Sequence, residues 1–407
     1  MKESHRVPSP IAPVAYRTAL ILLAGVGLWG GSMPSSLAQT NPNEPSPLEV
    51  DETDPLLPNL VVDRPLSPQE RRVLTAAIEE LRLQAEAEFN AGNVSAAFDI
   101  WIRELRLRRV LGIQEEVAAL SRVGTVAWRE TQTTEVRLIT ERLFEIEQEV
   151  QAQTPPDYDL LLQIAQAYQS LRDRNRAVAL YDQILTQAQQ TGDEATQDQT
   201  LRALGEMHLI WFDYPQAAAA YRQLLERVRA QGDRVTEIDV LERLAFIYDG
   251  GNEPAEAIAV RDDLIGLYRE IPDLRPIPAL KIAIADDYLE LGRPDRAAPN
   301  YQEAFAVART VQYYGYAADA LRKLAELYLD LGRENDALVV YQLLLDVEVQ
   351  SYNYYGMMNA YDWIGQIHRN RGAMPQAADA FRQALDLAQQ LNYRVDYFTQ
   401  QLQALGQ

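Results

Sequence analysis

Three histidines, no cysteine and scattered acids are the chain's whole supply for acid–base or metal chemistry. Imidazole titrates near neutrality and ligates metals, so His5, His208 and His368 are the first places to look. His5 stands in a leader-like N-terminus, and His208 and His368 lie 160 residues apart. Each of the latter two reads as a packed ring with a satisfied nitrogen, and a shared metal site is not expected. Without cysteine there are no disulfides, thiolate metal sites, Cys nucleophiles or acylated lipobox. The acid pairs Asp262-Asp263 and Asp286-Asp287 are neighbours in sequence, so they point to different faces of a helix. They read as solvated surface, not as the paired carboxylates of a hydrolase. No phosphate loop, dinucleotide fingerprint, zinc motif or calcium loop is present. The chain is therefore expected to be no enzyme and to need no cofactor and no metal.

Charge narrows the partners. Lys plus Arg number 38 against 59 Asp plus Glu, a formal net charge of −21 over 407 residues. Such a surface repels phosphate backbones, so nucleic acid is not an expected ligand. At 47% apolar residues the chain can bury a core. Lysine occurs only at Lys2, Lys281 and Lys323, and every other cation is arginine. Arginine keeps its charge and presents a rigid fork to carboxylates, which suits either surface ion pairs or partner recognition.

The first 38 residues read as an export signal. Lys2, Arg6 and Arg17 precede or flank the apolar run Ala19–Gly31, and Ser36-Leu37-Ala38 supplies small residues before a cut at Gln39. The run is shorter than the roughly 20 residues of a comfortable membrane span. An uncleaved anchor is the alternative, and membrane contact is expected only then. Residues 39–66 hold six prolines and six acids, the composition of an extended acidic tether. Ordered structure is expected from Ser67, which can cap a helix with Pro68 in its first turn and Glu70 closing a capping box.

Beyond Ser67 the chain repeats itself. A small residue recurs every 40 positions, at Ala165, Gly205, Ala245, Ala285, Ala325 and Gly365. Twelve residues after each comes Ala177, Ala217, Ala257, Ala297, Ala337 and Ala377. An aromatic or His follows the first anchor by three, from Tyr168 to His368. A second ring follows the alanine by four, at Tyr181, Tyr221, Tyr301, Tyr341 and Phe381, with Arg261 the exception. Two amphipathic helices packed antiparallel explain this: small residues admit a close approach and the ring fills the space beside them. Gly250-Gly251, Gly292, Gly332 and Gly372 fall where the turn between the helices is needed. Each pair would expose an apolar face until a neighbour stacks on it, so the predicted fold is all-α, a right-handed superhelical solenoid with one groove.

This pattern resembles the tetratricopeptide repeat family, in the 40-residue variant seen in kinesin light chains and G-protein-regulator scaffolds. The resemblance covers residues 155–391 as six repeats. Residues 67–154 read as a divergent N-terminal pair of repeats, with anchors at Ala85 and Thr125, and residues 392–407 as a capping helix. Segments WIRELRLRRVLG and RVGTVAWRE look like those of exported cyanobacterial proteins of the same kind, which implies a periplasmic or thylakoid-lumen location. Pro272, Pro276 and Pro278 should delay one helix, and Pro299 should kink the next.

The family's groove positions, carried onto this chain, implicate Arg202, Arg243, Phe246, Arg322, Lys323, Trp363 and Arg369. The resemblance implies a peptide groove with apolar pockets at Phe246 and Trp363 and carboxylate hooks at Arg202, Arg243, Arg322 and Lys323. Acids share these positions (Glu206, Glu242, Asp286, Glu326 and Asp362), so pairing between adjacent helices is the competing reading. The asparagines of the family's carboxylate clamp are absent from those positions. A second candidate is an aromatic strip: ten of 21 tyrosines lie between Tyr301 and Tyr361. Tyr313, Tyr314 and Tyr316 open one helix and Tyr352, Tyr354 and Tyr355 the next, as either a partner surface or packing between repeats. The expected function is a scaffold for a protein or peptide partner during assembly. The alternatives are self-association into a homo-oligomer through the tyrosines and, more remotely, a hydrolase using groove carboxylates.

Overall fold

The computed structural model describes residues 46–58 and 64–406. The expected export signal lies outside the described residues, as do residues 39–45 and 59–63 of the expected tether. The described residues of the unit Pro47–Gln407 hold seventeen helices and no strand. Helices α1 (Pro68–Asn90) and α2 (Val94–Leu111) form the first pair, α3 (Ile113–Arg129) and α4 (Thr133–Gln151) the second. Then come α5 (Tyr158–Ser170) with α6 (Arg174–Thr191), α7 (Glu194–Ile210) with α8 (Tyr214–Gln231), and α9 (Arg234–Gly251) with α10 (Pro254–Glu270). The remainder are α11 (Ile277–Glu290) with α12 (Pro294–Thr310), α13 (Tyr314–Asp330) with α14 (Glu334–Gln350), α15 (Tyr354–Asn370) with α16 (Met374–Leu391), and a last helix α17 (Val395–Ala404). Each helix packs on the next along the chain, so the fold is an all-α solenoid of helix pairs.

The 40-residue spacing is set at the contact between anchor and ring. The anchors Ala165, Ala285 and Ala325 are fully buried, as are the rings Tyr181, Tyr221, Tyr301, Tyr341 and Phe381. At Gly205 a Cβ would overlap the Tyr221 ring, and at Gly365 it would come within 2.7 Å of Phe381. Glycine is needed there because the ring already occupies the space of a methyl group. The turns repeat as faithfully. After each first helix of a pair, the third turn residue donates its N–H to a carbonyl five residues back, as in Asp173 to Tyr168, Asp213 to His208 and Arg293 to Tyr288. The residue before it takes a positive φ, which is the Schellman way of ending a helix.

Three expectations change in detail. The anchor of the second pair is Gly124, not Thr125: Gly124 is buried against Leu171 and Ile139, whereas Thr125 and Trp128 are exposed. One residue, Gly112, separates α2 from α3, so that pair is shifted by one, and Arg137 and Glu141 fall on the exposed face as an ion pair. Gly250 and Gly251 lie inside α9, and Asn252 makes the left-handed turn. Gly250 instead leaves room for the Tyr214 ring, which a Cβ would overlap. As expected from its prolines, helix α11 starts three residues late on the 40-residue grid, and Pro299 lies inside α12.

The third change concerns the N-terminal stretch. Residues 46–58 do not behave as a solvated tether. Leu48 is 1% exposed, its carbonyl accepts from Arg109 at 2.7 Å, and Asp54 pairs with Arg103 at 2.8 Å. Leu56 and Leu57 pack on Leu74, Ile78, Leu107 and Leu111. No helix pair precedes α1 among the described residues, and this segment covers apolar side chains that would otherwise meet water. Ser67 caps α1, with Glu70 completing the capping box at 2.8 Å.

Gly205→Ala should lower stability by about 1–3 kcal/mol in urea denaturation, the usual cost of overfilling a packed core. An unchanged midpoint would mean that the Tyr221 ring can move aside freely.

Candidate functional site

The first helices of successive pairs form one face, and its residues are joined across repeats. Glu206, one residue past the Gly205 anchor, accepts the Tyr221 hydroxyl from its own repeat. Arg243 of the next repeat closes the group at 2.5 Å from the same carboxylate. Eighty residues on the arrangement recurs: the Tyr301 hydroxyl donates to Asp286, and Lys323 of the next repeat sits 2.9 Å from it. Burial and the adjacent Glu206 push the Tyr221 hydroxyl up to about 12, so it stays a donor. The seated ring thus fixes an acid, and the acid fixes the neighbouring repeat.

The one departure in the ring series is resolved by ion pairing. Arg261, 6% exposed where the others have a ring, bridges Asp287 of the next repeat and Asp249 of its own. Burial pushes the Asp287 carboxyl up to about 6 although Arg261 pulls it down. Of the two described histidines, His208 is half-buried with Nδ1 3.4 Å from both Arg174 and Asp213. Burial lowers the pKa of His208 and of the half-buried His368.

Two clefts open on this face. The first, about 320 Å³, is lined by Arg202, Glu206, Tyr221, Asp239, Glu242, Arg243 and Phe246. Phe246 is 56% exposed with the Arg243 guanidinium 5.7 Å from its ring centre, and Arg202 pairs with Asp239 at 2.7 Å. The second, about 400 Å³, brings together residues from both sequence candidates: Arg322 and Trp363 from the groove, Tyr314 and Tyr355 from the aromatic strip. Asp319, Glu348, Asn353, Gly356 and Asn359 also line it. Trp363 stacks on the buried Tyr341 with ring centres 5.2 Å apart.

All the expected carboxylate hooks meet acids of this chain. Arg202, Arg243 and Lys323 are paired as above, and Arg322 is held by Asp319 at 2.5 Å and Glu326 at 2.9 Å. Arg369 donates to Gln401 of α17. Lys281 lies 3.1 Å from Glu303 and also donates to Asn300. The tyrosines divide differently. Tyr314 is half-buried, whereas Tyr313, Tyr316, Tyr352, Tyr354 and Tyr355 are exposed. Tyr313 faces Tyr316 at 6.2 Å and Tyr355 faces Tyr393 at 5.7 Å.

A family model for the tetratricopeptide repeat matches residues 160–195, the span of α5, α6 and their turns. Among curated proteins none matches the chain. Solved structures with similarity include the MamA protein, at 19% identity and a TM-score of 0.35 over 49% of this chain and 94% of that one. RapI in its apo form gives 12% identity and 0.39 over 81% and 97%. The C-terminal part of a TPR repeat-containing protein from Cytophaga hutchinsonii gives 13% identity and 0.38 over 66% and 95%.

On the 40-residue grid, the sequence reading missed three things. Position −6 from the anchor also faces the clefts, supplying Asp239, Asp319 and Asn359. Glu348, from the end of a second helix, reaches the C-terminal cleft. Ile210, Trp211 and Phe212 form an exposed apolar run, with Phe212 at φ 57° where the turns after the other first helices use Gly, Asn, Thr or Arg. The signal was visible as the one aromatic at the turn position that Gly92, Thr131, Arg172, Asn252, Gly292, Gly332 and Gly372 fill in the other repeats.

Arg261→Ala should destabilise the protein by about 3–5 kcal/mol at pH 8, because it leaves Asp287 buried without its cation. The loss should shrink at pH 5. Asp287 keeps its proton up to about pH 6 in the folded chain, against about 4 unfolded. Its contribution to stability therefore falls as pH rises through that window and is level above it. Urea denaturation of both forms at the two pH values measures the difference.

Proposed function

We propose that this protein is an exported scaffold that holds a protein partner on the face built by its first helices. The carrying observation is the pair of clefts on that face, which place exposed Phe246 and Tyr355 beside fixed charges. Exposed rings set among oriented polar groups supply contact area at low entropic cost and fix register. The tetratricopeptide match favours protein partners. Assembly of a larger complex in the periplasm or thylakoid lumen is the role this reading assigns.

Photo-crosslinking in the native compartment, followed by mass spectrometry, tests it. Phe246→Ser with Tyr355→Ser should reduce recovery of the partner by about tenfold or more, as expected for truncated interface anchors, with helicity unchanged. Equal recovery would remove these clefts from the interface. Export predicts a mature N-terminus at Gln39; an intact Met1 on the isolated protein would favour an anchor or no processing.

A second reading rests on the exposed tyrosines at the turns before α13 and α15. Tyr352 is 80% exposed, and such rings suit self-association. Sedimentation of Tyr313→Ser with Tyr352→Ser and Tyr354→Ser should then show a monomer where the parent is an oligomer.

A further inference from the structure

Six acids among the described residues are buried: Glu104, Glu116, Glu237, Asp287, Glu348 and Asp362. Five of them have an arginine within ion-pair distance. Glu104 meets Arg108 and Arg122, Glu116 meets Arg142, Glu237 meets Arg229 and Arg234, Asp287 meets Arg261, and Asp362 meets Arg394. Glu348, 6% exposed, has no cation of the described residues within that distance. Its Oε2 accepts from Asn353 Nδ2 at 2.8 Å and weakly from Ser351 at 3.5 Å, and both donors are neutral. Gly356 makes the room: a Cβ there would collide with the Glu348 carboxyl carbon and Oε1.

This carboxylate lines the C-terminal cleft together with Tyr314, Tyr355 and Trp363. Arg322 is the cleft's one cation, and Asp319 and Glu326 already hold it. Asp319 and Glu348 outnumber it, so the lining is net negative. A carboxylate hook is therefore the wrong chemistry for this site. A buried acid lacking a counter-ion attracts a cation, aromatic faces attract one through their quadrupole, and the rings offer apolar surface to an alkyl stem.

We propose that the cleft between α13 and α15 receives a basic side chain, lysine or arginine, from the partner polypeptide, with Glu348 as its counter-ion. The site rests on the scaffold reading and supplies the chemistry of the partner. A chain with a net charge of −21 favours basic partners over acidic ones throughout.

The full chain, labelled with 5-fluorotryptophan, is titrated with Ac-Ala-Lys-Ala-NH₂, Ac-Ala-Arg-Ala-NH₂, the isosteric Ac-Ala-norleucine-Ala-NH₂, and putrescine. Trp363→Phe identifies the Trp363 resonance. The lysine or arginine peptide should shift it saturably and the norleucine peptide should not. Glu348→Gln preserves shape and a hydrogen-bonding carbonyl; it should weaken binding by about tenfold or more, the usual effect of removing one partner of a desolvated charge pair. The other tryptophan resonances report that the variant is folded. An equal response to norleucine, an unchanged affinity in Glu348→Gln, or no shift with either basic peptide would overturn the proposal. Tighter binding of putrescine than of either peptide would also overturn it, by assigning the cleft to free amines. Peptide binding without a crosslinked partner would sink the scaffold reading alone; a crosslinked partner with Trp363 unshifted would sink this one alone.

Discussion

The seat of an aromatic ring on a small residue of the paired helix is the contact from which the rest follows. Glycine or alanine at the anchor lets the ring come close against the first helix, as Tyr221 does at Gly205. The ring is then buried while its hydroxyl emerges at the face of the first helices. There it meets an acid one residue past the anchor, and that acid reaches a cation of the next repeat. A packing constraint within a pair thereby becomes a polar joint between pairs. A phenylalanine can fill the same seat but cannot make the joint, and Phe381 does only the first.

Variation at this joint gives the face its different regions. Tyr221–Glu206–Arg243 and Tyr301–Asp286–Lys323 consume both signs of charge and leave little local field. Between them Arg261 replaces the ring and draws two acids to itself. Further on, the cation position of the next repeat is Trp363, so the contact with Tyr341 becomes a ring stack. Glu326, the acid at that joint, is held instead by Arg322 of its own helix, and the C-terminal cleft is both aromatic and net negative.

The repeat was legible because its determinants are local and chemical: small, aromatic and alanine at fixed intervals. Gly124 was misplaced by one residue because the sequence grid has no way to see that α2 and α3 are separated by a single glycine. Leu48, Leu56 and Leu57 were hidden by the prolines and acids around them, since composition averages over a segment while burial acts residue by residue. The groove residues were located, but their pairing was not, because whether Arg243 reaches Glu206 depends on how the repeats stack. Glu348 lay outside every groove position in the first helices. It reaches the cleft from the end of α14, and only the absence of a side chain at Gly356 lets it do so.

After residue 38 the chain has two lysines, Lys281 and Lys323, and both amines point into carboxylates. Acylation, glycation and aldehyde fixation all begin at a free lysine nitrogen. A molecule so built offers such reagents almost nothing to attack, and enzymes that tag proteins on lysine meet the same scarcity. Its positive charge is stored almost wholly in guanidinium groups, which keep their proton and resist such chemistry.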